Sequence, residues 1–403
     1  MANSLLTISM ITREAVRLFQ NTNAFIENID RQYDDSFAVN GAKIGSALKI
    51  RLPNDYVVRT GAAASIQDTA EQSTTLTLAT QKGVDVSFSS VDLTLSLDDY
   101  SERILAPQIN NLAGAIAADI MSGAEAGICN LVSNVDGSSN IISPTATTYL
   151  VADATLDLNS AQNGDRKVVN DPVTNARVVA SLTGLLNPVT DISKQYRNGK
   201  MFQALNFEWM KDQTVLKHTA GTFSAGGTVN GANQTGTTIT VNAITGTLVV
   251  GDIVTFAGVN AVNRVTKATT GQLRQFVVTA AVATSGTSIS IYPAITPAVG
   301  GNTVQYQTVT ASPANGAAMV LGTPAGVTYR KNFAFAPQAV TMATADLMLP
   351  NNVQAAREQF DGISMRMVQQ YNISTDQEIQ RCDVLYGYLY VRPEWLVTVA
   401  DAI

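Results

Sequence analysis

The chain has 403 residues, 45% of them hydrophobic, enough to bury a sizeable core divided among two or three domains. Lys+Arg number 26 against Asp+Glu 32, and a net charge of −6 leaves no basic footprint for neutralising phosphates, so binding of nucleic acid through a dedicated patch is excluded. Charged residues make up only 14%, against roughly 25% in an ordinary soluble domain. Such a surface suits either a protein packed against others or a low-charge secreted β-protein.

The opening "MANSLLTISMITREAV" has no basic region and no sustained apolar run, so no signal peptide is read there. A short, peripheral helix follows, with Ile11, Ala15, Leu18 and Thr22 on one face and Ser9 or Thr12 as its cap. Apolar and polar residues then alternate in "LKIRL", "DYVVR", "TLTLAT" and "VDVSFS", which predicts a long hairpin over 43–88 with the small-residue segment "TGAAASIQDTAEQS" as its tip. A two-stranded ribbon is marginal by itself in water, so its apolar face must lie on another element or on another chain.

Asp98 and Asp99 are good N-cap and first-turn residues for the longest helix, expected over 98–133, in which Leu105, Ile109, Leu112, Ile116 and Ile120 recur every three or four positions. Pro107 makes that helix either start again or bend. Ala113, Gly114, Ala117 and Ala118 form an opposite face small enough for another backbone to approach closely.

Residues 150–220 mix a strand, "RKVVN", with a helix, "NARVVASLTGLL", and read as α/β or α+β. From 222 to 311 the chain offers only short strands, "TTITV", "DIVTF", "RQFVVTA", "TSISIY" and "TVQYQTV", between Gly, Asn, Thr and Pro turns. That spacing predicts an all-β barrel or sandwich in which Gly251-Asp252 is a turn and Ile253 to Phe256 one strand. The uncharged tract 275–329 is too broken by Gly and Pro to cross a membrane. After Pro313 the mixed texture returns, with strands in "FAFAPQAVTMATADLMLP" and "FDGISMRMVQQYN" and a late one in "YLYVRPEW" ending at Pro393. Residues 1–221 and 312–403 are therefore expected to form one α+β body carrying 222–311 as an insertion, with His218, Thr219, Gly221 and Pro313 at the junction.

Little catalytic chemistry is on offer. His218 is the only histidine, so no multi-histidine metal site can be built, and it reads as a hinge residue satisfied by a backbone partner rather than as a base. No phosphate-cradling glycine loop occurs, since "RNGKM" lacks both the preceding glycine and the following Ser/Thr. The carboxylate pairs Asp34-Asp35 and Asp98-Asp99 read as a polar loop and a helix cap rather than calcium ligands or glycosidase acids. Cys129 and Cys382 lie far apart among apolar neighbours and read as buried thiols in a reducing compartment. Tyr386, Tyr388 and Tyr390 share one face of a strand and, with Trp395, are assigned to packing or subunit contact. No metal, no cofactor and no enzymatic activity are expected.

The order of these elements resembles the major capsid (coat) proteins of tailed bacteriophages, of the type with a β-barrel inserted in the shell fold. The stretches that carry the resemblance are "VDLTLSLDDYSERILAPQINNLA", "NFEWMKDQTVLKHTAGT", "GDIVTFAGVNAVNRVTK" and "RCDVLYGYLYVRPE", and they cover nearly the whole chain. The resemblance implies that the hairpin at 43–88 reaches over a neighbouring subunit, that the helix after Asp98 is the spine of the shell fold, and that 150–220 belongs to the axial region meeting its copies around five-fold and six-fold axes. It implies a homo-oligomer of pentamers and hexamers forming the icosahedral head around packaged DNA, assembled in the bacterial cytoplasm. Scaffolding and portal proteins are the implied partners, with a decoration protein as a further one and no membrane. Candidate subunit contacts are Arg59, Gly61, Asp68 and Glu71 on the hairpin, Arg13, Glu14 and Arg17 on the first helix, and Ala113 and Ala117 on the spine helix. Lys82 stands near the hairpin, but no lysine and asparagine are placed to argue for covalent cross-linking, so non-covalent stabilisation is expected.

Two rival functions fit less well. A phage-associated or secreted β-rich adhesion protein binding glycans would need aromatic residues on the barrel face, yet Phe223, Phe256, Phe276, Tyr292 and Tyr306 fall where strand cores are expected. A shell-associated protease founders on the single histidine.

Overall fold

A computed structural model describes residues 8–33, 46–52, 55–64, 66, 72–89, 104–181, 203–298, 304–360 and 362–403. Both helices and strands are present throughout, as an α+β fold requires. The chain divides into two units, one of Met1–Leu52, Ser73–Ile120 and Val340–Val391, the other of Pro53–Gln72, Met121–Ala339 and Arg392–Ile403.

The first unit is built around the strand Gln377–Tyr390. Along one edge this strand pairs with Thr80–Ser89; along the other it pairs first with Ile363–Asn372 and then with Val340–Ala345. The change of partner lets one continuous strand hold three neighbours. "VDVSFS" is thus not joined to "LKIRL" in one ribbon as the hairpin over 43–88 would have it. The antiparallel pair is Ser46–Arg51 with Ser73–Leu78, and 55–60 lie outside any ladder. The apolar face of that pair finds its cover within the same chain, where Leu76 and Leu78 are buried with Ala343, Leu347 and Leu385. The approach is close at Gly387, where a Cβ would come within 2.3 Å of the Thr77 carbonyl oxygen.

The first helix, Ile8–Thr22, lies against the strands Gln354–Phe360 and Ile363–Asn372. Its buried stripe is Thr12, Ala15, Val16 and Phe19, one position round from the expected Ile11, Ala15, Leu18 and Thr22. Thr12 tolerates burial because its hydroxyl donates to the Ile8 carbonyl at 2.7 Å. The side chain that seats the helix is Ser9, whose hydroxyl donates to Glu358 at 2.7 Å.

The spine helix is shorter than the expected 98–133. It runs Ala106–Gly123, is continued by a 3-10 turn at Ala124–Ala126, and residues Asn130–Val135 form a strand. Asp98 and Asp99 lie outside the described residues. The α-helical turns start at Ala106 and are preceded by a π-helical turn at Ile104–Leu105, so Pro107 stands where the helix passes from one to the other. The apolar stripe Leu105, Ile109, Leu112, Ile116 and Ile120 is buried as its spacing predicts, and Ala113 and Ala117 are equally buried at 0% exposure. Ala113 and Ala117 therefore point into the subunit itself, while Gly114 and Ala118 on the same face are half-buried. Tyrosines from the strand Gln377–Tyr390 fasten the helix: Tyr386 donates to Asp119 at 2.6 Å and Tyr390 to the Ile120 carbonyl.

The second unit contains an eight-stranded sheet whose centre is the antiparallel pair Thr328–Phe335 and Leu396–Ala402, flanked by Asn130–Val135 and by Lys167–Asn170. Helix Ala146–Leu158 covers one face through Tyr149, Ala152 and Leu156, packed with Val168, Phe207 and Trp209. A five-stranded antiparallel sheet follows in the order Gly236–Thr240, Ser288–Ile295, Thr269–Val278, Ile253–Val262 and Met319–Leu321. It closes over its own core, which includes Ile239, Leu248, Val254, Phe256, Phe276 and Ile291. The edge strand Met319–Leu321 comes from beyond residue 311. "TVQYQTV" is not a strand, because Val304–Tyr306 form a 3-10 turn and only Val309 bridges to Ala261. Within this unit Ile253 and Val277 also pack with Cys129, Leu131, Tyr329 and Ala400. The Gln275 carboxamide joins the two sheets by bonding both polar groups of Leu131, accepting from its N–H at 2.8 Å and donating to its carbonyl at 3.0 Å.

Three outcomes follow from these contacts. Leu112→Ala should lower the stability of the isolated subunit by on the order of 2 to 5 kcal/mol, and Ala117→Leu by roughly 1 to 3 kcal/mol through overpacking, both read from urea unfolding of the monomer; a fully stable Ala117→Leu monomer would contradict the burial of that face. At Gly221 a Cβ would stand 2.2 Å from the Thr247 carbonyl oxygen and 2.8 Å from an Asp252 carboxylate oxygen. Gly221→Ala should therefore cost roughly 1 to 3 kcal/mol in the same experiment, and an unchanged melt would show that the backbone there relaxes freely.

Candidate assembly surfaces and the junction cluster

The segment following the strand Ser46–Arg51 is tied down at one point. The Nε of Arg264, in the turn after Ile253–Val262, donates to both carboxylate oxygens of Asp55 at 3.0 Å, while its Nη1 donates to Glu394 at 2.7 Å. Arg392 joins from the other side, 3.5 Å from Glu394 and with its guanidinium carbon 5.2 Å from the Trp395 ring centroid. Burial disfavours the charged form of Arg264, but the hydrogen bonds and charges of Asp55 and Glu394 outweigh it and hold its pKa above the ordinary value.

Beyond Asp55 the chain is solvent-facing. Arg59 and Gly61 are exposed, with Arg59 donating to the Gly61 carbonyl, and Asp68 and Glu71 lie outside the described residues. The largest apolar exposure here belongs to side chains the sequence reading passed over: Tyr56, Val58 at 87% and Ile66 at 94%. Tyr56 and Val58 share the outward phase of "DYVVR", and the signal was present in that alternation, which was assigned to a strand rather than to a free face.

On the first helix Arg13 and Arg17 are exposed, and Arg17 pairs with Glu14 at 2.6 Å across one turn. Lys82, in the strand Thr80–Ser89, pairs with Asp119 at 2.6 Å. Cys129 and Cys382 are both buried free thiols. Among the described residues no group of three His, Cys, Asp or Glu could hold a metal ion, and no helix is long and apolar enough to cross a membrane.

Of the four junction residues, His218 and Gly221 meet at Asp252 and Thr219 lies beside them, whereas Pro313 is not brought to that cluster. His218 sits on the short strand Lys217–Thr219, paired with Thr328–Phe335, and Thr219 exchanges a hydroxyl hydrogen bond with Thr328 at 2.9 Å. Pro313 is buried in the loop leading to Met319–Leu321. His218 is not satisfied by a backbone partner, as its sequence context suggested. Its Nε2 is 3.0 Å from Asp252 and its Nδ1 3.4 Å from Glu125, while Tyr329 packs edge-on at 5.4 Å between ring centroids. Carboxylates from two remote turns displaced the simpler solution because each needs a donor when buried.

Asp252 is the centre of this cluster. Its carboxylate also accepts from the Val249 N–H at 2.8 Å and from the Gly221 N–H at 3.1 Å, which fixes the turn before Ile253 to the root of the β-rich segment. Gly251 adopts φ +95°, and a Cβ there would stand 3.1 Å from the His218 ring and 3.3 Å from the Glu125 Cβ. "GD" is thus a turn whose first residue leaves room for an imidazole and whose second binds it. Burial opposes a charge on His218, yet the bonds to Asp252 and Glu125 prevail over it and over the nearby Lys331 ammonium, raising the imidazole above its ordinary value. On Lys331 burial outweighs the attraction of Glu125 and Asp252, and the ammonium is pushed down to about 8. A histidine held by two carboxylates in this way ties two remote turns to one strand.

Comparison with known proteins follows from this geometry. No curated protein sequence matches the chain. Among solved structures, a Mycobacterium phage Che8 chain is similar at 11% identity and TM-score 0.47, covering 94% of this chain and 90% of its own. The capsid of cyanophage P-SCSP1u is similar at 13% identity and TM-score 0.45, covering 93% and 86%. A virus-like particle from Pyrococcus furiosus is similar at 7% identity and TM-score 0.39, covering 96% and 97%. The family model described as P22 coat protein, gene protein 5, matches residues 1–398. With that match running through both units, the chain belongs to the P22 coat protein family and is a major capsid protein of a virion's icosahedral shell.

Proposed function

We propose that the subunit works as a non-catalytic building block, assembling into pentamers and hexamers that close the icosahedral head around viral DNA. The family match over residues 1–398 carries this reading. Its support in the chain is a self-sufficient core combined with apolar side chains left in water on the segment after Asp55, namely Tyr56, Val58 and Ile66. A shell repeats one contact in every copy, and contacts that are individually weak become decisive once neighbours hold each other at high effective concentration. In this reading 43–88 reaches a neighbouring subunit, the charged edge of Arg13, Glu14 and Arg17 is a further contact, and the β-rich segment 222–311 forms an inserted domain. Scaffolding and portal proteins are the partners expected during assembly, and a decoration protein is a candidate for the outer surface.

Electron microscopy of the purified chain, alone and with a scaffolding protein, should reveal closed shells or curved fragments; particles that remain monomeric under every assembly condition would refute the proposal. Deleting Gly61–Glu71 should leave a folded, soluble monomer by circular dichroism that sediments without forming shells. Loss of folding would instead make that segment part of the core.

A further inference from the structure

His218 is the chain's only imidazole, and its surroundings give its proton a specific task. The titratable groups that face it are Asp252 in the turn before Ile253–Val262, Glu125 on the turn Ala124–Ala126, and Lys331 and Tyr329 on the strand Thr328–Phe335. We propose that His218 is a proton-operated latch, closing the Glu125 turn onto the root of the β-rich segment when the ring carries two protons and releasing that turn when it carries one.

The geometry is asymmetric. A protonated ring donates from both nitrogens, to Asp252 at 3.0 Å and to Glu125 at 3.4 Å. A neutral ring has one N–H, and the shorter bond keeps it. Asp252 is wholly buried at the side chain, whereas Glu125 is 30% exposed and can turn to water. Deprotonation then leaves the Nδ1 lone pair facing the Glu125 carboxylate, two acceptors without a hydrogen between them. Asp252 meanwhile retains the Val249 and Gly221 N–H groups, so the segment's own root stays tied.

The sign of the pH dependence follows. The folded imidazole binds its proton more tightly than the ordinary value of 6.5, so the latch is fully closed below that value and opens as pH rises through the folded midpoint. Lys331, pushed down to about 8 by burial, lies near the same carboxylates and its charge lowers the imidazole's affinity for its proton, so loss of that charge favours the closed latch.

With a single histidine, carbon-13 labelling of the imidazole gives one resonance in the full-length protein. Its titration should have a midpoint above 6.5, and Glu125→Gln should lower that midpoint. Hydrogen exchange followed by mass spectrometry across the same pH range, corrected for intrinsic base catalysis, supplies the mechanical readout. The amides of Gly127 and Ile128, both bonded to the Ala124 carbonyl, should lose protection as pH rises through the imidazole midpoint. Those of Gly221 and Val249 should keep theirs. A midpoint at or below the ordinary value, an unshifted midpoint in Glu125→Gln, unchanged protection at Gly127 and Ile128, or loss at all four amides together would each overturn the latch. The measurements on the unaltered protein stand even if the variant does not fold.

Discussion

A buried carboxylate must be given hydrogen-bond donors, and in this chain that requirement fixes where distant segments meet. The side chains of Asp252, Asp383 and Asp401 are wholly buried, and each gathers partners that sequence keeps apart. Asp401, two residues from the C-terminus, accepts from Thr174 at 2.7 Å and from Arg177 at 3.1 Å, drawing the helix Pro172–Ser181 onto the last strand. Asp383 accepts from Arg366 at 2.6 Å and Arg381 at 2.8 Å, and glycine stands opposite it at position 83, where a Cβ would come within 2.4 Å of its oxygen. Arg166 mirrors the arrangement from the cationic side, with its buried guanidinium donating to the carboxylates of Asp153 and Asp157 and to the carbonyls of Asp153 and Ala161. Such pairs add little net stability over apolar packing, yet removing one partner typically costs about 3 to 5 kcal/mol. Their effect is therefore to make one arrangement of the chain far better than its alternatives.

Much of the fold was legible in the sequence, and what was missed has physical causes. The spine stripe from Leu105 to Ile120 and the strands at Lys167–Asn170, Ile253–Val262 and Ile363–Asn372 follow from periodicity, because local pattern and tertiary burial agree there. Periodicity failed where a tertiary partner overrode it. "DYVVR" alternates like a strand, but Asp55 is claimed by Arg264 and no ladder partner lies alongside. The late strand expected in "YLYVRPEW" is the end of a longer one, Gln377–Tyr390, which runs through Gly387 because that glycine serves a close approach of Thr77 rather than a reversal. The face of Ala113 and Ala117 looked like an interface because small residues permit contact with any backbone, and nothing local distinguishes the chain's own from a neighbour's. The partners of His218 lie 93 and 34 residues away and were beyond any pattern within the sequence.

The balance of charge takes on a different meaning once these pairs are located. Charged residues are only 14% of the chain, and several of them are committed to buried pairs within it. A face with few charges meets a copy of itself without the like-charge repulsion that identical charged faces impose, and demands little desolvation.

The contact between Gln275 and Leu131 has a consequence for how subunits behave in a crowd. The strand Asn130–Val135 runs beside Leu396–Ala402, and its outer side is paired to another strand only at Asn134 and Val135. Leu131 would otherwise offer a free N–H and carbonyl, a template on which a second chain can add a strand. A single carboxamide, donor and acceptor in the right order, reproduces the hydrogen bonds of a neighbouring backbone and ends the sheet there. For a protein made in many copies that must join only through intended faces, this glutamine acts as a sheet terminator, a safeguard against polymers that never close.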